Sequence, residues 1–483
     1  MSAQDLRMRI PEAGQADTCT PALKGVNQAM RCSNFSRKAL TVVLAAMLTL
    51  SVLGTASCTD GIDSTGSATA TAGETASDRN DTDAETDTEN VTQTESAAET
   101  ETDTKDDAKE KPIMFDQLTQ LDKETTPFWK TNVMYNEAAT FIVREDGSIT
   151  AKLYFQPTAI LSVKSNDLKT TFTEGVDYTW DKESNILTLP AGSSIPYFTQ
   201  NDIHGKDADG NYIPDFGSST PWDEQGRSRF GNALYCVGEF LYAKQIAVTY
   251  EYEFGSWDGP VTEMQTDRLP KTAAKIEALR QAGDTDAALN VVFFGDSIFT
   301  GCDSSKMYNR EPFQCSFPDY FKQVIEEKYG IRVKRYNPSV GGMDSAWGVQ
   351  NVKEVTDKSP DLVFIGFGMN DGGKSGRTVA NNIKRIMSKV KEQFQDCEFV
   401  VVAPMVPNAE AGFLSTQGEF PKAFGQLAGE GVAFVDMFSF HSKLLERKDF
   451  IAMSGNNINH PNDWLIRVYT MNLMAAFLPY AAG

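Results

Sequence analysis

From residue 290 onward, short apolar runs alternate with segments of helical period, and this alternation limits the fold more than any other feature of the chain. NVVFF (290–294), DLVFIGFG (361–368) and EFVVVAP (398–404) are almost uninterrupted by polar residues, so strands built from them must be covered on both faces. IRVKRYN (331–337) and VAFVDM (432–437) read as further strands. The segments before and between them are helical. LPKTAAKIEALRQAG (269–283) and PDYFKQVIEEKYG (318–330) each end at a glycine, a longer helix is expected at about 378–394, and a last one at about 463–478. Strands separated by helices pair in parallel, which predicts an α/β domain of three α/β/α layers over residues 269–483.

Upstream, at about 113–268, the period is that of strands alone. TFIVRED (140–146) and SITAKLYF (148–155) meet at an Asp-Gly turn signal, as in a hairpin. ILSVKS (160–165), DYTWD (177–181), ILTLP (186–190) and QIAVTYEYEF (245–254) continue the alternation, which predicts an all-β, sandwich-like domain. Its Trp and Tyr residues suit either core packing or a face on which sugars stack. DADGN (207–211) has the oxygen spacing of a calcium loop but no Glu at the twelfth position, and is read as a turn.

The 483-residue chain has a formal net charge of −21, and residues 59–111 alone contribute sixteen Asp/Glu against four Lys/Arg. That segment holds no aromatic residue and cannot bury enough apolar surface to offset chain entropy. Residues 58–112 are therefore expected to form a disordered acidic tether. Acidity without basic clusters argues against nucleic acid as a partner. Arg37 and Lys38 precede a sixteen-residue apolar run (39–54), too short for a comfortable membrane span and suited to a signal-peptide core. The TASC that follows resembles a lipobox with Thr55 where Leu is more usual. Residues 1–57 are thus expected to be a signal peptide, with Met30 a candidate alternative start and Cys58 the lipidated residue. The expected location is the outer face of a bacterial cell membrane, reached only through the lipid, with plain secretion as the alternative. The cysteines show no zinc-like spacing, and a disulfide between Cys302 and Cys315 is one option for an exported chain.

Ligands of open parallel sheets bind beyond the carboxyl ends of the strands. After the first strand comes GDS with Ser297, after the second NPSVGG with Gly342, and after the third GMND with Asn370. His460 stands in NNINHPND before the last helix. A hydroxyl, a glycine backbone, an amide and an imidazole on one rim are the parts of an acyl-transfer site. Order and spacing resemble the SGNH (GDSL-type) hydrolases over about residues 285–483, and more closely a bacterial subgroup with a β-domain ahead of the hydrolase domain.

The resemblance implies a serine esterase without cofactor or metal. Ser297 would be its nucleophile and His460 its base, with an oxyanion hole from Ser297, Gly342 and Asn370. The expected substrate is an ester-bearing carbohydrate, acetylated above all. The alternatives are a lipase or thioesterase for longer chains, and a non-catalytic carbohydrate-binding lipoprotein.

One position departs from the family pattern. Asn457 stands three residues before the histidine, where Asp is usual. Either Asn457 or a backbone carbonyl is expected to orient His460, with a shift of activity toward neutral or alkaline pH because an amide cannot stabilise an imidazolium by charge. Asp296 and Asp371 are read as loop supports, Asp463 as the cap of the last helix, and Trp347 as either pocket wall or helix packing. Of the other histidines, His204 is placed beside DADGN and His441 on a surface helix. A G-x-S-x-G elbow is absent, since Phe299 follows Ser297 by two residues.

Overall fold

The computed structural model describes residues 111–283 and 286–480. The signal peptide, Cys58 and the acidic tether expected from the sequence lie outside the described residues, apart from the tether's last two positions.

Five parallel strands form the downstream sheet, in the order Val333–Tyr336, Leu289–Gly295, Leu362–Gly366, Glu398–Ala403 and Val432–Asp436. Side chains alternate across a strand, so the apolar runs divide between two cores. Val291, Phe293, Phe364, Val400 and Val435 face one core, where the helices Phe317–Tyr329, Met437–Leu445 and Asp463–Ala475 pack. Val292, Phe294, Val363, Ile365, Phe399 and Val401 face the other, covered by Ser345–Gln350 and Gly376–Lys391. Trp347 belongs to this second core, against Phe294 and Phe367, so it packs a helix. Helices start and stop as the sequence predicts, within three residues. Phe317–Tyr329 ends at Gly330, whose φ of 64° suits a left-handed cap.

The upstream strands form one connected, mostly antiparallel sheet. Its order is Thr171–Phe172, Pro157–Ser165, Gln245–Tyr252, Val133–Val143, Ile149–Lys152, Ile186–Thr188 and Thr179–Trp180, with Tyr197–Phe198 parallel to the end of Val133–Val143. The Asp-Gly hairpin is present, with Ile142 opposite Thr150 and Val143 opposite Ile149. Val133–Val143 serves both halves of the sheet: its first part pairs with Gln245–Tyr252 and its end with Ile149–Lys152. A separate hairpin, Arg227–Phe230 with Ala233–Cys236, and short helices at Gln200–Ile203 and Glu239–Tyr242 interrupt the strand pattern.

This sheet shares its core with the downstream domain. Phe128, Trp129 and Trp257 pack on Phe440. The aromatic residues of the strand region are thus largely spent on packing. Buried ions also cross the junction. Lys448, with no exposed side-chain surface, pairs with the equally buried Glu137 and donates to Ala138 O at 2.8 Å. The Glu137 carboxylate also accepts from Tyr154 N (2.9 Å) and from the Tyr250 hydroxyl. Arg467 of the last helix donates to Tyr135 O (2.9 Å) and Asn136 O (2.6 Å).

His441 differs from its surface expectation. Its helix turns it fully inward, beside Phe450. Burial pushes its pKa down to about 3, only slightly offset by a contact with the Val406 backbone.

Two outcomes follow for stability. Lys448→Met leaves the Glu137 carboxylate buried without a counter-ion and is expected to cost about 3–5 kcal/mol in urea unfolding. Lys448→Met combined with Glu137→Gln should recover most of that loss. For His441, the neutral folded form carries no penalty above the unfolded value of about 6.5. As pH falls below it, the unfolded chain takes up a proton that the folded one refuses, and stability is lost. His441→Leu is expected to flatten the fall in unfolding free energy between about pH 6.5 and 4. An unchanged slope would show that the imidazole is not held neutral.

Candidate active site

Ser297 begins a one-turn helix, Ser297–Thr300, directly beyond the strand Leu289–Gly295. Asp296 caps that helix, its Oδ1 accepting from Ile298 N at 3.0 Å, and burial pushes its pKa up to about 7. It supports the loop, as expected. As the first helical residue, Ser297 has a backbone N–H without an intrahelical acceptor.

Gly301 ends the turn in a left-handed conformation, and Asp303 follows with φ 68°. The reversal turns the Asp303 carboxyl toward the histidine loop, with no exposed side-chain surface. His460 joins the two groups. Its Nε2 lies 2.8 Å from Ser297 Oγ and its Nδ1 2.9 Å from Asp303 Oδ2. A carboxylate at Nδ1 requires that nitrogen to hold the proton and donate it, which leaves Nε2 free to accept from the serine hydroxyl. Hydroxyl, imidazole and carboxylate in this order can activate an oxygen nucleophile and stabilise the imidazolium that results.

The loop bearing His460 is held by its own asparagines. Asn456 Oδ1 accepts the N–H groups of Ile458 (2.8 Å), Asn459 (3.0 Å) and His460 (3.1 Å). The loop also depends on a glycine. A Cβ at Gly455 would sit 2.3 Å from Asp303 Cβ, so only glycine lets the histidine loop close on the aspartate.

The structure corrects the reading of Asn457. Its amide donates to Leu234 O at 3.0 Å and its backbone N–H donates to Ser454 Oγ at 2.8 Å. The group at His460 Nδ1 is Asp303, from the stretch TGCDSS just after the nucleophile. Sequence reasoning missed it because the family pattern directs attention upstream of the histidine. The available signal was an aspartate two residues beyond a helix-ending glycine, within six of the serine. With a carboxylate at Nδ1, the reason for an alkaline shift disappears.

Gly342 and Asn370 follow the two strands that flank Leu289–Gly295, so their loops border that of Ser297. Ser339 Oγ accepts from Gly295 N at 3.0 Å, and Val340 N donates to Gly295 O at 3.1 Å. Gly342 has φ 76°, a conformation costly for any residue with a Cβ. The Asn370 amide donates one N–H to Met343 O at 3.1 Å, leaving its second donor for another acceptor. Asp371 is fully buried and accepts from the Ser345 N–H and hydroxyl and from Lys374, locking the two loops together.

Asn462, not Asp463, caps the last helix, accepting from Leu465 N at 3.1 Å. Asp463 Oδ1 instead accepts from Ser305 N at 2.8 Å, which anchors the segment after Asp303. Burial raises its pKa. Cys302 and Cys315 are both buried thiols not joined in a disulfide, and burial pushes the Cys302 thiol up to about 12. DADGN is a turn in which Asp207 Oδ1 accepts from Asp209 N (3.0 Å) and Asn211 N (2.8 Å). His204, 41% exposed, accepts no part in the site and caps Gln200–Ile203. Among the described residues no group of three or more His, Cys, Asp or Glu could hold a metal ion.

Asp303→Asn keeps the shape but loses the charge and the correct tautomer, and kcat on nitrophenyl acetate is expected to fall by about 10⁴ with KM nearly unchanged. A loss below tenfold would mean that Asp303 does not orient the base.

Residues 293–464 match the model of the GDSL-like Lipase/Acylhydrolase family. No curated protein matches the chain. Among solved structures, a putative GDSL-like lipase from Parabacteroides merdae shares 21% identity, covers 40% of this chain and 97% of its own, and has a TM-score of 0.32. The lipase Lip_vut3 from a goat rumen metagenome shares 16% identity over 40% of this chain and 99% of its own, with a TM-score of 0.31. A two-domain esterase described as active on acetylated mannans shares 19% identity over 44% of this chain and 57% of its own, with a TM-score of 0.33.

Proposed function

We propose, from the match of residues 293–464 to the GDSL-like lipase/acylhydrolase model, that this protein is a serine esterase that removes short acyl groups, acetyl above all, from polysaccharide. The observation that carries the ester hydrolysis is the continuous path from Ser297 Oγ through His460 to Asp303, with contacts of 2.8 and 2.9 Å. In this reading Ser297 Oγ attacks the ester carbonyl and passes its proton to His460 Nε2. Asp303 stabilises the imidazolium. The N–H groups of Ser297 and Gly342 and the free donor of Asn370 receive the charge on the tetrahedral oxygen, each such donor being worth about 10²–10³ in rate. Collapse expels the sugar hydroxyl, which takes its proton from His460. Water, activated by the same imidazole, then releases the acid and restores Ser297.

The acetyl and polysaccharide assignments rest on the export signal and acidic spacer read from the sequence together with the resemblance to the SGNH hydrolases. A lipid at Cys58 would hold the enzyme at the outer face of the cell membrane, within reach of extracellular polysaccharide.

Acetate release from a panel of acetylated glycans is expected from the parent protein and to be lost, by a factor of at least about 10³, in Ser297→Ala. Undiminished release by Ser297→Ala would overturn the serine mechanism. In a nitrophenyl ester series, rates should be highest at two to four carbons, and a preference for eight or more would replace the acetyl reading by that of a lipase or thioesterase.

A further inference from the structure

The loop that carries His460 is held from outside the parallel-sheet domain, and one side chain of the upstream sheet grips both of its ends. Gln245 opens the strand Gln245–Tyr252 and is 1% exposed. Its Nε2 donates to Ile451 O (3.1 Å) and Ser454 O (2.8 Å), where the loop begins. Its Oε1 accepts from Asn462 Nδ2 (3.3 Å), where the loop ends and the last helix is capped. Asn462 Nδ2 in turn donates to Ala452 O at 2.9 Å, which closes the base of the loop. Two further ties come from the separate hairpin: Leu234 O accepts from Asn457 Nδ2 at 3.0 Å, and Cys236 N donates to Asn456 O at 3.5 Å. All these polar groups are buried, where an unpaired donor or acceptor costs far more than an exposed one. Each therefore restricts where the loop can sit.

We propose that Gln245 is a positioning residue for His460, so that the strand region is part of the catalytic apparatus and not a separable sugar-binding module. The proposal rests on the reading of Ser297 and His460 as the reacting pair. Proton transfer needs Nε2 within hydrogen-bond reach of Ser297 Oγ, and a misplacement of about 1 Å can cost about 10²-fold in rate. The side-chain hydrogen bonds of Gln245 end on Ile451, Ser454 and Asn462, at the two ends of the histidine loop, so its loss should act on kcat and spare substrate affinity.

Gln245→Met keeps the volume and removes all three hydrogen bonds. Its kcat on nitrophenyl acetate is expected to fall about 10- to 100-fold, with KM within twofold and an equal fall in the rate at which a fluorophosphonate labels Ser297. Thr249→Val, four residues along the same strand, loses the Thr249–Asn136 hydrogen bonds away from the loop and should keep kcat within twofold. If Gln245→Met does not fold, Gln245→Glu, which retains an acceptor for Asn462 but no donor, is judged by the same split between kcat and KM. A kcat within twofold of the parent for a folded Gln245 variant, with Ser297→Ala inactive, would overturn the positioning role and leave the esterase reading intact. An active Ser297→Ala would overturn both.

Discussion

The strand Leu289–Gly295 buries both of its faces, and the rest of the molecule follows from that requirement. A strand that is apolar on both sides cannot lie at a surface, so helices must cover it above and below, and its neighbours must enter by crossovers. Parallel pairing then delivers every strand's carboxyl end to one rim. Ser297, Gly342 and Asn370 come to border one another because the central strand lies between the two whose loops carry the glycine and the amide. The site is a consequence of the sheet order.

The fourth and fifth groups reach the rim differently. His460 is separated by 157 residues from Asp303 and by 163 from Ser297. Their meeting depends on the last helix packing against the sheet and on a loop tight enough to close at Gly455. Such closeness tolerates little error. The side chains that secure it are mostly amides, whose donors and acceptors can both be satisfied in a buried loop without adding charge near the imidazole. Asn456 holds the loop internally, Asn462 caps the helix beyond it, and Gln245 ties its ends to the upstream sheet.

That upstream sheet is joined to the parallel-sheet part by more than apolar contact. The Lys448–Glu137 pair and the Arg467 contacts with Tyr135 and Asn136 are buried, directional and specific to one docking arrangement. A buried ion pair such as Lys448–Glu137 adds little net stability compared with apolar packing, but breaking it is costly. Such contacts suit a junction that must keep one register between two sheets. The aromatic residues near the junction pack on Phe440, Trp257 stacked and Trp129 tilted against it. Their abundance, ambiguous in the sequence, is explained by that packing.

Local pattern alone determined the parallel sheet, the helix limits within a few residues, the Asp-Gly hairpin, and the candidacy of Ser297, Gly342, Asn370 and His460. Periodicity, turn residues and strand-end position are properties of short segments, and each of these features is written within one. Tertiary structure alone decided that Asp303 faces His460, that Asn457 turns away to Leu234, that His441 is buried, and that Gln245 reaches the histidine loop. Each of these is a contact between segments distant in sequence, and its geometry depends on how layers dock and how closely two backbones approach. No spacing along the chain encodes that distance; only the packed core sets it.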